Sequence, residues 1–213
     1  MFKVFREPQA EELIVIGADP ADAGSSYCAA HALSKKQADV FMVFHARTDS
    51  AQFGYEIYKM ARYINRFTGN WPCIGVERNI GSATINVLQT LNYSNLFRMP
   101  KLGMEVDDKE QEKIGWLTTA QTRPKMLDEL GLALAQGLVR IYDEDTVKEL
   151  FSFIRNQRTG RPEAAEGSDD DLVMALAIAW QLHGLAKVKA SSEWDSIISR
   201  FPKQKLFDKK GLY

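Results

Sequence analysis

Apolar and polar positions divide the first part of the chain into three extended segments and a helix. A continuous apolar run predicts a buried strand over 13–19, and extended segments at 27–33 and 40–47 predict two more. Short polar turns join the three segments, which favours an antiparallel meander. Apolar residues at helical spacing then predict a helix over 50–67.

The rest of the chain alternates between strands and helices, which indicates parallel additions to the same sheet. The predicted elements are, in chain order, a strand at 70–77, a helix at 81–91, a strand at 96–100, an irregular polar excursion at 101–119, a helix at 123–136, a short strand at 138–142, a helix at 145–156, a charged loop at 157–168 and a closing helix at 169–185. This order predicts an α/β protein of the ribonuclease H-like class. Such a fold has a central mixed sheet, three antiparallel strands followed by parallel strands, flanked by helices.

Composition limits the class of protein without identifying it. The chain has 213 residues, 45% of them hydrophobic and 26% charged, which fits one soluble domain with one core. No apolar run approaches the roughly 20 residues of a membrane span. Cys28 and Cys73 stand in apolar segments without metal-ligand spacing, so we expect buried free thiols. A net charge of −1 is unusual for a domain that binds nucleic acid tightly by itself.

Three consecutive aspartates, Asp169, Asp170 and Asp171, open the closing helix. A helix N-terminus favours carboxylates, and Ser168 followed by Asp171 also fits a capping box. Capping accounts for one or two acids but not for three. Because no basic residue within the run offsets their repulsion, a hard divalent cation such as Mg²⁺ or Mn²⁺ is the better explanation.

Two more acids stand at the ends of apolar strands. Asp19 follows the first predicted strand and Glu77 follows the fourth, and these two strands are neighbours in a ribonuclease H-like sheet. Each acid has an ordinary alternative, because Asp19 before Pro20 suits a turn and Glu77 could pair with Arg78 or Lys101. Together with the acids of the closing helix they suit two-metal phosphodiester hydrolysis, in which Asp19 bridges two ions, Glu77 holds one, and Asp170 or Asp171 holds the other.

Four motifs resemble the nuclease domain of large terminase subunits of tailed bacteriophages. They are GADPADAG at 17–24, VERNIG at 76–81, GWLTTAQTRPKMLDEL at 115–130 and GSDDDLVMALAIA at 167–179. The resemblance implies a metal-dependent endonuclease, with Asp19, Glu77, Asp170 and Asp171 as its catalytic and metal-binding residues. It would cut concatemeric double-stranded viral DNA at the initiation and the completion of packaging. Asp169 stands where the family often has histidine, which leaves open which of the three aspartates bind metal.

The resemblance also implies a domain division and a set of partners. Residues 1–12 would be a remnant of an interdomain linker, 13–186 the nuclease domain and 187–213 a basic tail with seven basic and three acidic residues. A phosphate-loop motif is absent from the sequence, so we expect no ATPase motor in this chain. The expected partners are double-stranded DNA, the terminase ATPase domain, the small terminase subunit and the portal protein. The expected location is the cytoplasm of the infected bacterial host, without a membrane and without stable incorporation into the virion.

Five basic residues are candidates for DNA contact. Arg155, Arg158 and Arg161 precede the aspartates in the charged loop and suit DNA phosphates, although solvated loop charge explains them equally well. Lys109 and Lys113 could meet DNA or the motor domain.

Two further functions compete with that of a packaging nuclease. They are a Holliday-junction resolvase of the same fold and a catalytically inactive docking module.

Overall fold

The molecule is known from a computed structural model that describes residues 2–21, 27–99, 113–155, 162–164 and 169–186. The strands are, in chain order, β1 Phe2–Val4, β2 Ile14–Asp19, β3 Cys28–Ser34, β4 Asp39–Ala46, β5 Cys73–Val76, β6 Arg140–Ile141, β7 Phe153–Arg155 and β8 Pro162–Ala164. The helices are α1 Ser50–Thr68, α2 Ser82–Thr90, α3 Thr122–Ala135, α4 Glu144–Ser152 and α5 Asp171–Leu185.

The central sheet is mixed, with the strand order β1-β4-β3-β2-β5. β2, β3 and β4 form the predicted antiparallel meander, and β5 adds parallel to β2. β6 pairs with β4 in parallel, and β7 with β8 forms a separate hairpin. The predicted arrangement of three antiparallel strands followed by parallel pairing is therefore confirmed within the described residues.

Helices cover both faces of the sheet, which explains why its central strands are continuously apolar. On one face, Ile16 and Phe41 of the sheet belong to a core that also contains Phe53 of α1 and Leu88 of α2. On the other face, Val15 belongs to a core with residues of α3 and α5. Alternate residues of β2 thus point to opposite helical layers, as the two-residue period of a strand requires. Cys28 and Cys73 are buried free thiols, as predicted.

The first residues differ from the expectation of a linker remnant over 1–12. β1 pairs antiparallel with β4, and the Phe2 ring packs against Phe44. Arg6 donates to Asp39 and to Glu12, so this segment is also joined to the sheet by buried ion pairs. A three-residue strand has too short a pattern to be recognised in a sequence.

The segment after α2 differs from the expected strand at 96–100 and excursion at 101–119. Leu96 makes only an isolated parallel bridge to Ile74 of β5. Residues 101–112 lie outside the described residues, but the chain then returns to the sheet, where the backbone N–H of Trp116 donates to the carbonyl of Val76 (2.8 Å) and Arg78 donates to the carbonyl of Trp116 (2.8 Å). Trp116 is buried and packs in the core on the α5 face of the sheet.

Helix boundaries agree with the predictions to within a few residues, with one local difference. The helix predicted at 145–156 ends at Ser152, and the chain continues into β7. In the described part of the chain, no helix is both long and apolar enough to cross a membrane.

Candidate functional site

Asp19 and Glu77 occupy neighbouring positions at the same edge of the sheet. The parallel register pairs Gly17 with Gly75 and Ala18 with Val76, so Asp19 and Glu77 continue the two strands side by side. The backbone N–H of Glu77 donates to the carbonyl of Ala18 (2.8 Å), which extends the pairing to the acid itself. Both carboxylates are buried. The predicted convergence of these two acids is therefore present in the fold.

The same alternation directs both acids toward α5. Gly17 and Gly75 contact this helix closely: a Cβ atom at Gly17 would lie 2.2 Å from the backbone nitrogen of Ala179, and one at Gly75 would lie 2.7 Å from Leu182. Side chains two residues further along each strand point to the same face. Asp19 and Glu77 therefore lie on the face that α5 covers, at the end of the sheet where the helix begins.

The N-terminal end of α5 contributes Asp170 and Asp171. Asp170 is the N-cap residue and Asp171 the first residue of the helix, whereas Ser168 of the predicted capping box lies outside the described residues. The side chain of Asp170 makes no capping hydrogen bond among the described residues. Helix capping by its side chain therefore does not account for Asp170 at this position.

Repulsion among these carboxylates contributes to raised pKa values of the acids. Burial raises the pKa of Asp19 well above its ordinary value, and Glu77, Asp171 and Asp170 raise it further. Burial also raises the pKa of Glu77, although the Thr118 hydroxyl and the Arg123 guanidinium act in the opposite direction. In the absence of a cation the site therefore holds its charge at a cost in free energy.

Asp171 follows the same rule. Burial raises its pKa to about 6, and Asp170 and Asp169 add repulsion. The backbone N–H of Tyr27 lowers the pKa and offsets part of this effect. Within the cluster, Asp19 and Asp171 are close enough to repel each other, which connects the end of β2 to the start of α5.

Arg123 of α3 is the cation beside the acidic cluster, and the sequence analysis missed it. Its Nη2 atom donates to Oδ2 of Asp170 at 2.5 Å, and it also lowers the pKa values of Asp19 and Glu77. The ion pair joins residues 47 positions apart, so neither element alone indicates it. Arg123 lies within the motif at 115–130, and that location was the only available signal.

Glu149 of α4 is the second functional residue that the sequence analysis missed. Its Oε1 atom accepts a hydrogen bond from the backbone N–H of Val173 (2.8 Å), in the first turn of α5. This carboxylate satisfies a helix donor that the preceding residues leave open. Burial raises the pKa of Glu149 to about 7, and repulsion from Asp171 and Asp170 contributes. Glu149 therefore anchors the helix end that carries the aspartates.

The raised pKa of Glu149 predicts a loss of stability with rising pH in metal-free protein. An unfolded glutamate has a pKa of about 4.3, so the folded state disfavours the charged form. This destabilisation is absent below the unfolded value, grows as the pH rises and is complete above about 7. Glu149→Gln keeps an acceptor oxygen for Val173 but cannot titrate. We expect its melting temperature in EDTA to fall less between about pH 5 and pH 8 than that of the wild type.

Glu144→Gln is the matched control for this measurement, because Glu144 begins the same helix and its side chain is 89% exposed. The control should show the pH slope of the wild type. Identical slopes for Glu149→Gln and the wild type would contradict the prediction.

The donor set at this edge of the sheet fits a hard divalent cation. The converging groups are carboxylates, and buried carboxylates that repel one another are stabilised by such an ion. With the side chains in their present positions, however, no group of three or more histidine, cysteine, aspartate or glutamate residues in the described part of the chain is arranged to hold a metal ion. Asp170 is instead paired with Arg123. A metal would require these side chains to turn toward a common centre.

Two of the five basic residues proposed for DNA contact, Lys113 and Arg155, belong to the described residues. Lys113 is exposed at the start of the segment that returns to the sheet. Arg155 lies in β7, opposite Pro162 of β8. Lys109, Arg158 and Arg161 lie outside the described residues. Contact of any of these residues with DNA stays a prediction.

An antiparallel meander extended by a parallel strand and covered by helices on both faces defines a class of fold, and solved structures share this fold. The large terminase nuclease from thermophilic phage G20c with bound magnesium has a TM-score of 0.64 and 16% identity, covering 84% of this chain and 86% of that chain. The same nuclease with bound cobalt has a TM-score of 0.61 and 17% identity, over 84% and 86%.

The nuclease domain of the large terminase of Thermus phage P74-26 gives a TM-score of 0.61 at 16% identity and covers 85% of each chain. No protein-family model and no curated protein matches the sequence. The fold of this chain is thus that of large terminase nuclease domains, which are ribonuclease H-like. The resemblance to terminase nuclease domains and the ribonuclease H-like fold class, both expected from the sequence, are therefore confirmed for the fold.

Proposed function

We propose that this protein is a divalent-metal-dependent DNA endonuclease of a phage genome-packaging motor. The observation that carries the proposal is the convergence of Asp19, Glu77 and the Asp170–Asp171 pair at one edge of a terminase-like sheet. Structures of the large terminase nuclease from phage G20c, which has a similar fold, have been solved with bound magnesium, cobalt and zinc. These structures support a divalent-metal site in this fold.

The four carboxylates would divide the binding of two ions, Mg²⁺ or Mn²⁺. Asp19 is close enough to Glu77, Asp171 and Asp170 for each of them to raise its pKa, and it is therefore the best candidate for the shared ligand. Glu77 would complete one position, and Asp170 or Asp171 the other. Bound ions of this kind activate a water molecule and stabilise the leaving oxygen of a phosphodiester. Burial of Asp19 and Glu77 beneath α5 keeps both carboxylates away from competing solvent.

The charge of the chain bears on how DNA would reach this site. A net charge of −1 provides little affinity through counterion release, and uncompensated carboxylates repel phosphate. We infer that the other parts of a packaging motor supply the DNA: the ATPase domain, the small terminase subunit and the portal, in the cytoplasm of the infected host. Tethering of this kind raises the effective concentration of DNA at a weak binding site. The cuts would then fall on concatemeric DNA at the start and end of packaging.

Metal dependence provides the first test of the function. We expect purified protein to cut linear and supercoiled duplex DNA in Mg²⁺ or Mn²⁺ and to lose all activity in excess EDTA, because its candidate ligands are all hard oxygen donors. Activity should return when Mg²⁺ exceeds the chelator. Equal degradation of plasmid with and without EDTA would contradict the proposal.

The choice of substrate tests the alternative within the same fold. A synthetic four-way junction and a linear duplex of the same length and composition should be cut at similar rates by a packaging nuclease. Cleavage confined to the junction would favour a resolvase. No cleavage of either substrate with any divalent ion would favour an inactive docking module.

A further inference from the structure

Arg123 enters the acidic site from a rigid support. It is the second residue of α3, and the start of this helix is fixed by hydrogen bonds among its own threonines. The backbone N–H of Thr119 donates to the Thr122 hydroxyl (2.8 Å), the Thr122 N–H donates to the Thr119 hydroxyl (3.0 Å), and the Thr122 hydroxyl donates to the carbonyl of Leu117 (2.9 Å). Pro124 follows at the first turn, where its ring is compatible with a helix. The base of the Arg123 side chain is therefore held in place.

The guanidinium of Arg123 faces several carboxylates but is bonded to one. Its Nη2 atom pairs with Asp170, and the two side chains are 35% and 34% exposed. The Nε atom is buried and has no hydrogen-bond partner among the described residues. Its charge also reaches Asp19 and Glu77. A guanidinium with an unused donor beside several acids can move away from one carboxylate and still interact favourably with the others.

We propose that Arg123 is the counter-ion of the acidic site in metal-free protein, and that a divalent ion displaces it from Asp170. This inference rests on the proposed function, because it takes Asp170 to be a metal ligand. It explains why the acids lie together although the described residues form no metal-binding group: the carboxylate of Asp170 is turned toward Arg123.

The exchange follows from charge and geometry. A carboxylate has lone pairs for more than one partner, but a divalent ion at Asp170 would stand beside the guanidinium, and two cations at one carboxylate repel each other. Without metal, Arg123 offsets part of the repulsion among the acids and stabilises the fold. With metal, that same ion pair must first be broken. Arg123 therefore lowers the affinity of the site for metal while it protects the metal-free state.

A passive surface ion pair is the alternative. A pair that is one-third exposed contributes little to stability. If Asp170 is not a ligand, removal of the pair would alter metal binding only through the change in net charge. A control with the same charge change on the same helix separates the two cases. Lys125, which pairs with Glu129, provides that control as Lys125→Met.

The test measures Mn²⁺ binding by isothermal titration calorimetry in wild type, Arg123→Met, Arg123→Lys and Lys125→Met. We expect Arg123→Met to bind Mn²⁺ about three- to tenfold more tightly than the wild type, and Lys125→Met to stay within about twofold. Arg123→Lys keeps the positive charge and should stay closer to the wild type than Arg123→Met.

Thermal unfolding supplies a second readout. Without metal, Arg123→Met should melt below the wild type, and saturating Mn²⁺ should narrow the difference because ligand binding stabilises the tighter binder more. Lys125→Met should show the same metal-induced rise in melting temperature as the wild type.

A measurement on unaltered protein covers the case in which Arg123→Met fails to fold. The Arg123 Nε–H resonance, assigned by its loss in Arg123→Lys, should shift when diamagnetic Mg²⁺ saturates the site. An unchanged resonance, or equal Mn²⁺ affinities of Arg123→Met and Lys125→Met, overturns the exchange while leaving the nuclease proposal intact. Failure of every variant and the wild type to bind a divalent ion overturns both proposals, whereas metal binding without DNA cleavage overturns only the nuclease function.

Discussion

Asp19→Asn is expected to abolish metal-dependent DNA cleavage while the protein stays folded. The substitution preserves size but removes a buried carboxylate that is repelled by Glu77 and Asp171. Loss of a shared metal ligand lowers the rate of two-metal hydrolysis by orders of magnitude, here by about a thousandfold or more. Because the removed charge repels its neighbours, the melting temperature of the metal-free variant should equal or exceed that of the wild type. Plasmid nicking in Mn²⁺ and circular-dichroism melting in EDTA measure the two effects.

Asp145→Asn provides the matched control. Asp145 is a half-exposed aspartate at the start of α4 that pairs with Lys3, and the same substitution there should leave cleavage within about twofold of the wild type. An Asp19→Asn protein that cuts at the wild-type rate would remove Asp19 from the site. An Asp19→Asn protein that loses activity and also melts at a lower temperature than the wild type would show that Asp19 supports the fold rather than the chemistry.

Gly17→Ala is expected to destabilise the protein by about 3 kcal/mol or more, which is large for the addition of one methyl group. An added Cβ would lie 2.2 Å from the nitrogen of Ala179 and 2.3 Å from the carbonyl oxygen of Ala175. Both are backbone atoms of α5, so no side-chain rotation relieves the overlap and the helix must move away from the sheet. We expect a lower denaturation midpoint in urea and weaker metal-dependent cleavage, because the same helix carries Asp170 and Asp171.

Gly184→Ala is the control, because Gly184 lies in α5, the helix that Gly17 contacts. A Cβ atom there meets nothing within 4 Å, and alanine is favoured over glycine in helices by about 1 kcal/mol, so this variant should be neutral or stabilised. Equal midpoints for Gly17→Ala and Gly184→Ala would contradict the close approach of α5 to β2.

The parts of the fold with a long repeating pattern were predictable from the sequence. The continuous apolar runs of β2 and β4 and the helical spacing of the apolar residues in α1 extend over most of each element, so tertiary contacts had little to override. β1 was missed because Phe2 is the only residue of its three that packs strongly, against Phe44. The strand expected at 96–100 is replaced by isolated bridges, from Leu96 to Ile74 of β5 and from Arg98 to Ile114 and Gly115.

The acids of the candidate site were predictable because each stands at the end of an element that the pattern already defines. Asp19 and Glu77 follow buried strands, and Asp170 precedes an apolar helix. Arg123 and Glu149 were not predictable, since each acts on an element that lies far from it in the sequence. An arginine in a first turn and a glutamate on an amphipathic helix are common on protein surfaces, so only the packing of α3 and α4 around α5 distinguishes these two.

Under the proposed function, the dispersion of the acids along the chain also sets when the site can be complete. β2 and β5 precede α5, which is the last of the described elements to be synthesised. Until that helix packs on Gly17, the nascent chain has neither its aspartates nor the cover over Asp19. Long-range contacts of this kind form late in folding. Under the proposed function, incomplete chains in the translating cell would therefore be unable to damage DNA.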